Sequence, residues 1–147
     1  MKWKEYKVSE VFEQYRGKEA SPNRVPDGKI NMVNEISSNN GVAKKGASEN
    51  IFKAPAITVS VNFAQNVFVQ EEDFCASVNI LILKAKWMEL YPKTALYLAT
   101  LLRKNNVRYN YSCKISKDRL NDTVIKLPVK TTYKPDFELL SEIIRGY

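Results

Sequence analysis

Two stretches decide the fold class: AITVSV at residues 56–61 and PKTALYLATLLRKN at residues 92–105. The first is rich in β-branched residues and predicts a strand. The second places leucines and alanines on one broad face, starts with a proline and carries Arg103 and Lys104 in its last turn. These features predict a helix that ends at Asn105 and Asn106. A β-rich middle followed by a long helix, without βαβ repetition, predicts an α+β fold.

Further strands are predicted on both sides of this centre. Short β-branched runs predict strands at residues 67–69 and 124–129, and residues 30–33 form a short apolar segment. Residues 75–83 alternate in polarity and predict one continuous strand. The Asn40-Gly41 pair predicts a tight turn. We expect these strands to form a twisted mixed sheet that carries helix 92–105, within a single domain at residues 1–147.

Three further helices are predicted outside the β-rich middle. Apolar residues between Val8 and Tyr15 follow helical spacing, with Ser9 as the candidate cap. Ser116 predicts the start of a short helix that runs through Leu120. Pro135 and Asp136 predict the opening of a C-terminal helix, and its apolar face is expected to pack on its own domain or on a second copy. That face consists of Leu139, Leu140, Ile143 and Ile144.

Composition excludes several classes of protein. The chain of 147 residues contains no histidine, which excludes Ser-His-Asp and Cys-His catalysis and histidine-bearing zinc sites. Its two cysteines, Cys75 and Cys113, are isolated and predict reduced thiols in buried or half-buried positions. No apolar run is long enough to span a membrane, and the start lacks the apolar core of a signal peptide. We therefore expect a cytoplasmic protein without a membrane partner.

Enzyme motifs are missing. The sequence holds neither a dinucleotide-binding G-x-G-x-x-G nor a Walker loop. Glu71, Glu72 and Asp73 could bind Mg²⁺, although a solvated turn is the simpler interpretation. We expect no catalytic residue, no metal and no cofactor, and an unrecognised enzyme is the weakest alternative.

Charge is concentrated near the C-terminal end. The chain carries a net charge of +7, and between Arg103 and Lys134 there are 9 lysines and arginines against 2 aspartates. A local excess of this size attracts polyanions, above all nucleic acid. The alternative is a basic surface that only keeps the protein in solution.

Loops carry the residue types that contact DNA. Cations reach phosphates or guanine edges, and amide side chains bond adenine edges. The alternative is that asparagine and serine only form turns there. The candidate DNA-binding residues are Arg16, Lys18, Arg24, Asn39, Asn40, Lys44, Lys45, Asn62, Gln65, Arg108, Tyr111, Lys114, Lys117 and Arg119.

An ordered series of short motifs spans nearly the whole chain. They are Trp3-Lys4, Val11-Phe12-Glu13, Arg16-Gly17-Lys18, Asn39-Asn40-Gly41-Val42, Ile57-Thr58-Val59, Phe68-Val69-Gln70, Phe74-Cys75-Ala76-Ser77, residues 109–114, residues 125–129 and Pro135-Asp136-Phe137. In this order they resemble the target-recognition domain of the DNA-specificity (S) subunits of type I and type IIB-like restriction–modification systems. Residues 62–66 depart from the pattern, because the family has a glycine-rich turn there.

The resemblance implies sequence-specific binding of double-stranded DNA without catalysis. It implies that the chain reads a short half-site and directs a DNA methyltransferase (modification) subunit, and through it a nuclease, to the target. S subunits of this family carry two such domains, so we expect a homodimer or a second recognition domain to complete the reader. The alternative is a non-catalytic interaction or decoy protein that assembles with a methyltransferase or another acidic partner.

Overall fold

The computed structural model describes residues 2–86, 89–129 and 136–145, without the side chains of residues 141, 143 and 145. The strands in these ranges are β1 (Lys2–Lys7), β2 (Phe12–Arg16), β3 (Asp27–Val33), β4 (Val42–Gly46), β5 (Ala56–Ser60), β6 (Val67–Gln70), β7 (Phe74–Ala76), β8 (Ile80–Ala85) and β9 (Val124–Val129). The helices are α1 (Val8–Val11), α2 (Pro92–Asn105), α3 (Lys117–Asn121) and α4 (Phe137–Arg145). The predicted α+β class, the central helix and the C-terminal helix are confirmed.

The strands form three sheets. The largest has the order β2-β8-β5-β6, and all its neighbours are antiparallel. A second has the order β4-β3-β7 and is mixed, because β3 pairs antiparallel with β4 and parallel with β7. The third joins β1 to β9, so the first and the last strand of the described residues are paired.

The core lies between the large sheet and the helices. Buried Ile57 and Leu83 of the sheet belong to the same apolar cluster as Leu98 and Leu102 of α2. Phe137 and Leu140 of α4 are buried in that cluster, so the C-terminal helix packs on its own domain at these positions. Apolar burial of this kind fixes the sheets and leaves the loops at their ends free to carry function. Within the described ranges, no helix has the length and apolar character needed to cross a membrane.

The predicted helix at residues 8–15 is wrong beyond Val11. Val8, Val11 and Phe12 are buried as expected, but Tyr15 is exposed, and Phe12 starts β2 and pairs with Ala85 of β8. Tertiary pairing therefore overrides the helical spacing. The cap is also different, because the Lys7 N–H donates to Glu10 Oε1 at 2.9 Å and Ser9 does not form the predicted cap.

The predicted strand at residues 75–83 is wrong in its middle. A turn at residues 77–79, closed by the Ile80 N–H donating to the Ser77 carbonyl at 3.0 Å, separates β7 from β8. The two strands belong to different sheets, which an alternating pattern cannot reveal. Ser116 does cap α3, since its hydroxyl accepts from the Arg119 N–H at 3.1 Å. Pro135 lies outside the described residues, but Asp136 Oδ1 accepts from the Leu139 N–H at 2.8 Å at the start of α4.

The two cysteines differ in their surroundings. Cys75 is buried, as predicted, and its burial, with a smaller contribution from the charge of Glu19, raises the pKa of its thiol. Cys113 is exposed, so the prediction of a buried or half-buried position is wrong for this residue. It lies in a tight turn in which the Asn110 side chain accepts two backbone N–H groups, and such turns lie on protein surfaces.

Candidate nucleic-acid interface

A groove of about 550 Å³ lies where β2 meets α3 and the loop before it. It contains five of the residues predicted to contact DNA, and Cys113 also lines it. These five are Arg16, Tyr111, Lys114, Lys117 and Arg119. The structure therefore brings together residues that are about a hundred positions apart in sequence.

A second groove of about 570 Å³ shares Arg16 and Lys117 with the first. It adds the predicted residue Lys18, and it also contains Lys53 and Lys84, which the sequence analysis did not identify. We call the two adjacent grooves the basic face. The shared residues show that the basic face is one continuous surface.

Gln14 fixes the distance between the two sides of the basic face. Its Nε2 donates to the Lys117 carbonyl at 3.0 Å and to Asn121 Oδ1 at 2.7 Å. These bonds hold α3 against β2 and so place Lys117 beside Arg16. Sequence reasoning missed Gln14 because nothing local indicates a partner 103 positions away.

Gly17 explains how Arg16 and Lys18 reach this surface. A Cβ at Gly17 would lie 1.9 Å from the Ser77 carbonyl oxygen, a distance that no side chain tolerates. The Gly17 N–H donates to the Ile80 carbonyl at 2.9 Å, and Arg16 Nε donates to the Val78 carbonyl. Only glycine permits this close approach between backbones. The Arg-Gly-Lys motif therefore has a structural cause in the turn between β7 and β8.

The cations of the basic face are poorly neutralised. Among residues 2–86, 89–129 and 136–145, five of them form no ion pair within 4 Å. These are Arg16, Lys18, Lys114, Lys117 and Arg119. Such uncompensated positive charge produces a field that attracts polyanions.

The remaining two lysines of the basic face are engaged. Lys53 pairs with Asp73 at 3.1 Å. Hydrogen bonds from the Ala54 N–H and from Lys53 lower the pKa of Asp73. Lys84 Nζ donates to the carbonyls of Lys53 and Pro55 at 2.6 and 2.9 Å. Lys84 is only partly exposed, and the resulting desolvation lowers its pKa.

Asn39, Asn40 and Lys45 lie in a separate pocket of about 320 Å³, which we call the asparagine pocket. Its other lining residues include Gln70, Glu71 and Glu72. Lys45 lies 3.8 Å from Glu72, and the neighbouring Lys44 pairs with Asp27 at 2.9 Å. The lysines predicted here as DNA contacts are therefore neutralised by carboxylates from other strands and loops.

The asparagine side chains of this pocket bond the backbone. Asn39 Nδ2 donates to the Val42 carbonyl at 3.0 Å, and Asn40 Nδ2 donates to the Val69 carbonyl at 2.7 Å. Both residues have positive φ, at 51° and 54°, a conformation that asparagine tolerates better than most residues. Both side chains thus help to fold the turn before β4.

The other predicted residues are distributed around these sites. Asn62 is held by Glu35, which accepts its N–H at 2.8 Å and its Nδ2 at 2.7 Å. Gln65 is exposed in the same loop between β5 and β6. Arg24 is exposed before β3, and Arg108 is exposed after α2 with its Nε donating to the Asn105 carbonyl at 3.2 Å. Neither arginine lines the basic face.

Comparisons with known proteins agree with this architecture. A family model described as "Type I restriction modification DNA specificity domain" matches residues 1–146. The chain is 24% identical over 145 residues to the type II restriction enzyme BgcI specificity subunit S.BcgI of Heyndrickxia coagulans. This match includes 97% of the chain but only 42% of that curated relative.

Solved structures show the same fold at low identity. The HsdS subunit from Thermoanaerobacter tengcongensis superposes with a TM-score of 0.69 at 16% identity, over 98% of this chain and 36% of that one. The S subunit of a type I restriction-modification system from M. genitalium superposes with a TM-score of 0.64 at 13% identity, over 98% and 40% respectively. From the family match over nearly its full length, this chain belongs to the family of type I restriction modification DNA specificity domains.

Proposed function

We propose that the chain binds double-stranded DNA through the basic face and reads a short half-site in the cytoplasm. The observation that carries the proposal is the group of five cations in two adjoining grooves, none of them paired with a carboxylate in the described part of the chain. Cations of this kind contact phosphates and fix the orientation of the duplex. Membership in a DNA specificity family supports this assignment.

The half-site is short because the surface is small. One domain of this size presents only a few side chains to base edges, which corresponds to about three to five base pairs. Gln65 is our first candidate for base reading, since it is exposed in the loop between β5 and β6. Asn39, Asn40 and Asn62 remain predicted base contacts, although their Nδ2 groups already bond other parts of the chain.

Binding as a function of salt concentration tests the proposal. Fluorescence anisotropy with a 20-base-pair duplex of random sequence would compare wild type with Lys114→Gln/Lys117→Gln. We expect weaker binding and a plot of log affinity against log salt that is less steep by ~2, because each lost phosphate contact removes ~0.9.

A matched control uses two lysines that are already neutralised. The variant Lys44→Gln/Lys45→Gln changes the net charge equally but removes cations paired with Asp27 and Glu72. We expect its salt dependence to stay near that of wild type. Equal losses in the two variants would show that the basic face has no special role in binding DNA.

We further propose that the bound chain directs a DNA methyltransferase subunit and takes no catalytic step itself. The support is family membership and the curated relative, whose name describes it as a specificity subunit. Duplexes selected from a random pool by this chain provide the substrate for the test. Methyl transfer by a type I modification subunit to a selected duplex is expected only when this chain is present. Transfer that does not depend on this chain would overturn the proposal.

The family's two-part targets require a second reader, which a second copy or another recognition domain would supply. This chain spans less than half of the relatives it matches. Sedimentation at micromolar concentration, with and without a palindromic form of the selected site, tests the homodimer. A strict monomer under both conditions would exclude the homodimer and leave another recognition domain as the proposed second reader.

A further inference from the structure

Two aromatic rings stand exposed at the edge of the first groove. Phe63 is 50% exposed and Tyr111 is 65% exposed, yet they contact each other edge to face with ring centroids 6.0 Å apart. They come from different loops, at residues 61–66 and 109–114. We call this pair the aromatic step. Large apolar side chains exposed together commonly mark a binding surface.

Both loops are anchored. Behind Phe63, the Glu35 carboxylate accepts the Asn62 N–H and Nδ2, and the Phe63 N–H donates to Ser60 Oγ at 3.2 Å. Beside Tyr111, Asn110 Oδ1 accepts the backbone N–H groups of Ser112 and Cys113 at 2.8 and 2.9 Å. These bonds hold the backbone of both loops, so the loops lose little conformational entropy when a partner binds.

The positive charges around the aromatic step indicate the kind of partner that it binds. Lys114 Nζ lies 4.8 Å from the centre of the Tyr111 ring, and Tyr111 itself lines the groove that holds Arg16, Lys117 and Arg119. These cations form no ion pair in the described part of the chain. Aromatic rings beside uncompensated cations match a polyanion whose bases offer flat apolar faces.

We propose that Phe63 and Tyr111 form a wedge that enters one base step of the duplex lying in the first groove and unstacks it. This inference rests on the proposed function, because the cations must first hold the duplex there. The wedge gives the chain a preference for base steps that unstack easily, in addition to any direct contact with base edges. Phe63, which the sequence analysis did not identify, becomes a specificity-determining residue.

The test uses two 20-base-pair duplexes with 2-aminopurine at the centre, one fully matched and one with a mismatch beside the probe. A mismatch lowers the cost of unstacking, so we expect wild type to bind the mismatched duplex ~5-fold or more tightly than the matched one. The fluorescence of 2-aminopurine is expected to rise on binding. Phe63→Ala/Tyr111→Ala should lose both effects and keep the wild-type salt dependence, whereas Tyr111→Phe should keep both.

A control variant truncates another exposed apolar residue. Val107 is 64% exposed and does not line the basic face, so Val107→Ala should behave like wild type. Equal wild-type affinity for the two duplexes, or an unchanged fluorescence response in the double alanine variant, overturns the wedge. If either outcome is observed while DNA binding keeps its normal salt dependence, only the wedge fails and the proposed function still holds. If the chain binds neither duplex, or binds without salt dependence, the proposed function fails as well.

Discussion

The basic face and the asparagine pocket present similar residue types and opposite electrostatic conditions. Each contains lysine together with polar side chains from loops. Lys45 of the asparagine pocket and the neighbouring Lys44 pair with Glu72 and Asp27, whereas Lys114 and Lys117 of the basic face have no carboxylate within 4 Å in the described part of the chain. What separates them is therefore the set of neighbours that the fold brings from other strands. Counting lysines along a sequence cannot distinguish these two cases.

The largest expected effect comes from Gly17. This residue positions Arg16 and Lys18 of the basic face and has no part in the asparagine pocket. A Cβ there would collide with the Ser77 and Ala76 carbonyl oxygens at 1.9 and 2.5 Å. We expect Gly17→Ala to lower the free energy of unfolding by about 3 kcal/mol, at the upper end of overpacking effects. Urea denaturation measures this loss. Lys18→Ala, which removes a charge without a clash, should keep its stability and lose DNA affinity, and a fully stable Gly17→Ala variant would contradict the close approach.

The asparagine pocket gives the next largest effect, and it concerns folding. Asn40→Ala removes the bond to the Val69 carbonyl and leaves alanine at a φ of 54°, so we expect a loss of about 2 kcal/mol. Asn40→Gly tolerates the positive φ and should lose about 1 kcal/mol, the value of the hydrogen bond. Thermal unfolding compares the two variants.

Asn39 tests whether the asparagine pocket also contacts DNA, which would remove the contrast between the two regions. Asn39→Ala should weaken binding to selected and random duplexes equally if the side chain only folds the turn through Val42. If the variant instead relaxes the preference at one base position and keeps its affinity for random DNA, the asparagine pocket reads DNA as well.

Releasing the paired lysines should make the two regions more alike. Asp27→Asn/Glu72→Gln removes the carboxylates that neutralise Lys44 and Lys45. We expect stronger binding to random duplexes and a salt dependence steeper by up to ~2, because two new cations can reach phosphates. A control with the same change in net charge is Glu49→Gln/Glu89→Gln, since neither residue forms an ion pair among the described residues. Equal gains in both variants would show that net charge alone controls the affinity.

The smallest effect concerns Lys84 within the basic face. Desolvation places its folded-state pKa below the ordinary 10.5, so the folded chain loses this proton at a lower pH than the unfolded chain. In the window just below 10.5 the unfolded chain binds more protons, and stability rises with pH. The difference in unfolding free energy between wild type and Lys84→Gln should therefore move in favour of wild type as the pH approaches 10.5. A difference that is constant or falls would indicate a fully solvated Lys84.

Regular elements with local signals could be predicted from the sequence. Helix α2 has the predicted bounds because its proline, its apolar face and its terminal asparagines are all local. The turn between β7 and β8 could not be predicted, since it depends on which sheet each strand joins. For the same reason α1 ends four residues earlier than its spacing suggests.

The types of residue in the candidate site could be predicted from the sequence, but which of them lie together in the structure could not. Arg16, Lys114 and Lys117 were identified from their charge, and the fold places them together. Gln14 and Phe63 were missed because their contacts lie across long sequence separations. Lys44 and Asp27 are 17 positions apart, and only the pairing of β3 with β4 brings their charges together.

The contrast between the two cysteines provides a way to observe the basic face directly. Cys113 is exposed and lines the first groove, while Cys75 is buried and its pKa is raised. The thiolate is the reactive form of cysteine, so a maleimide dye at neutral pH will attach to Cys113 and leave Cys75 unmodified. The natural chain can thus carry a single fluorophore in the groove without any mutation. Occupation of the groove can then be followed in real time, molecule by molecule.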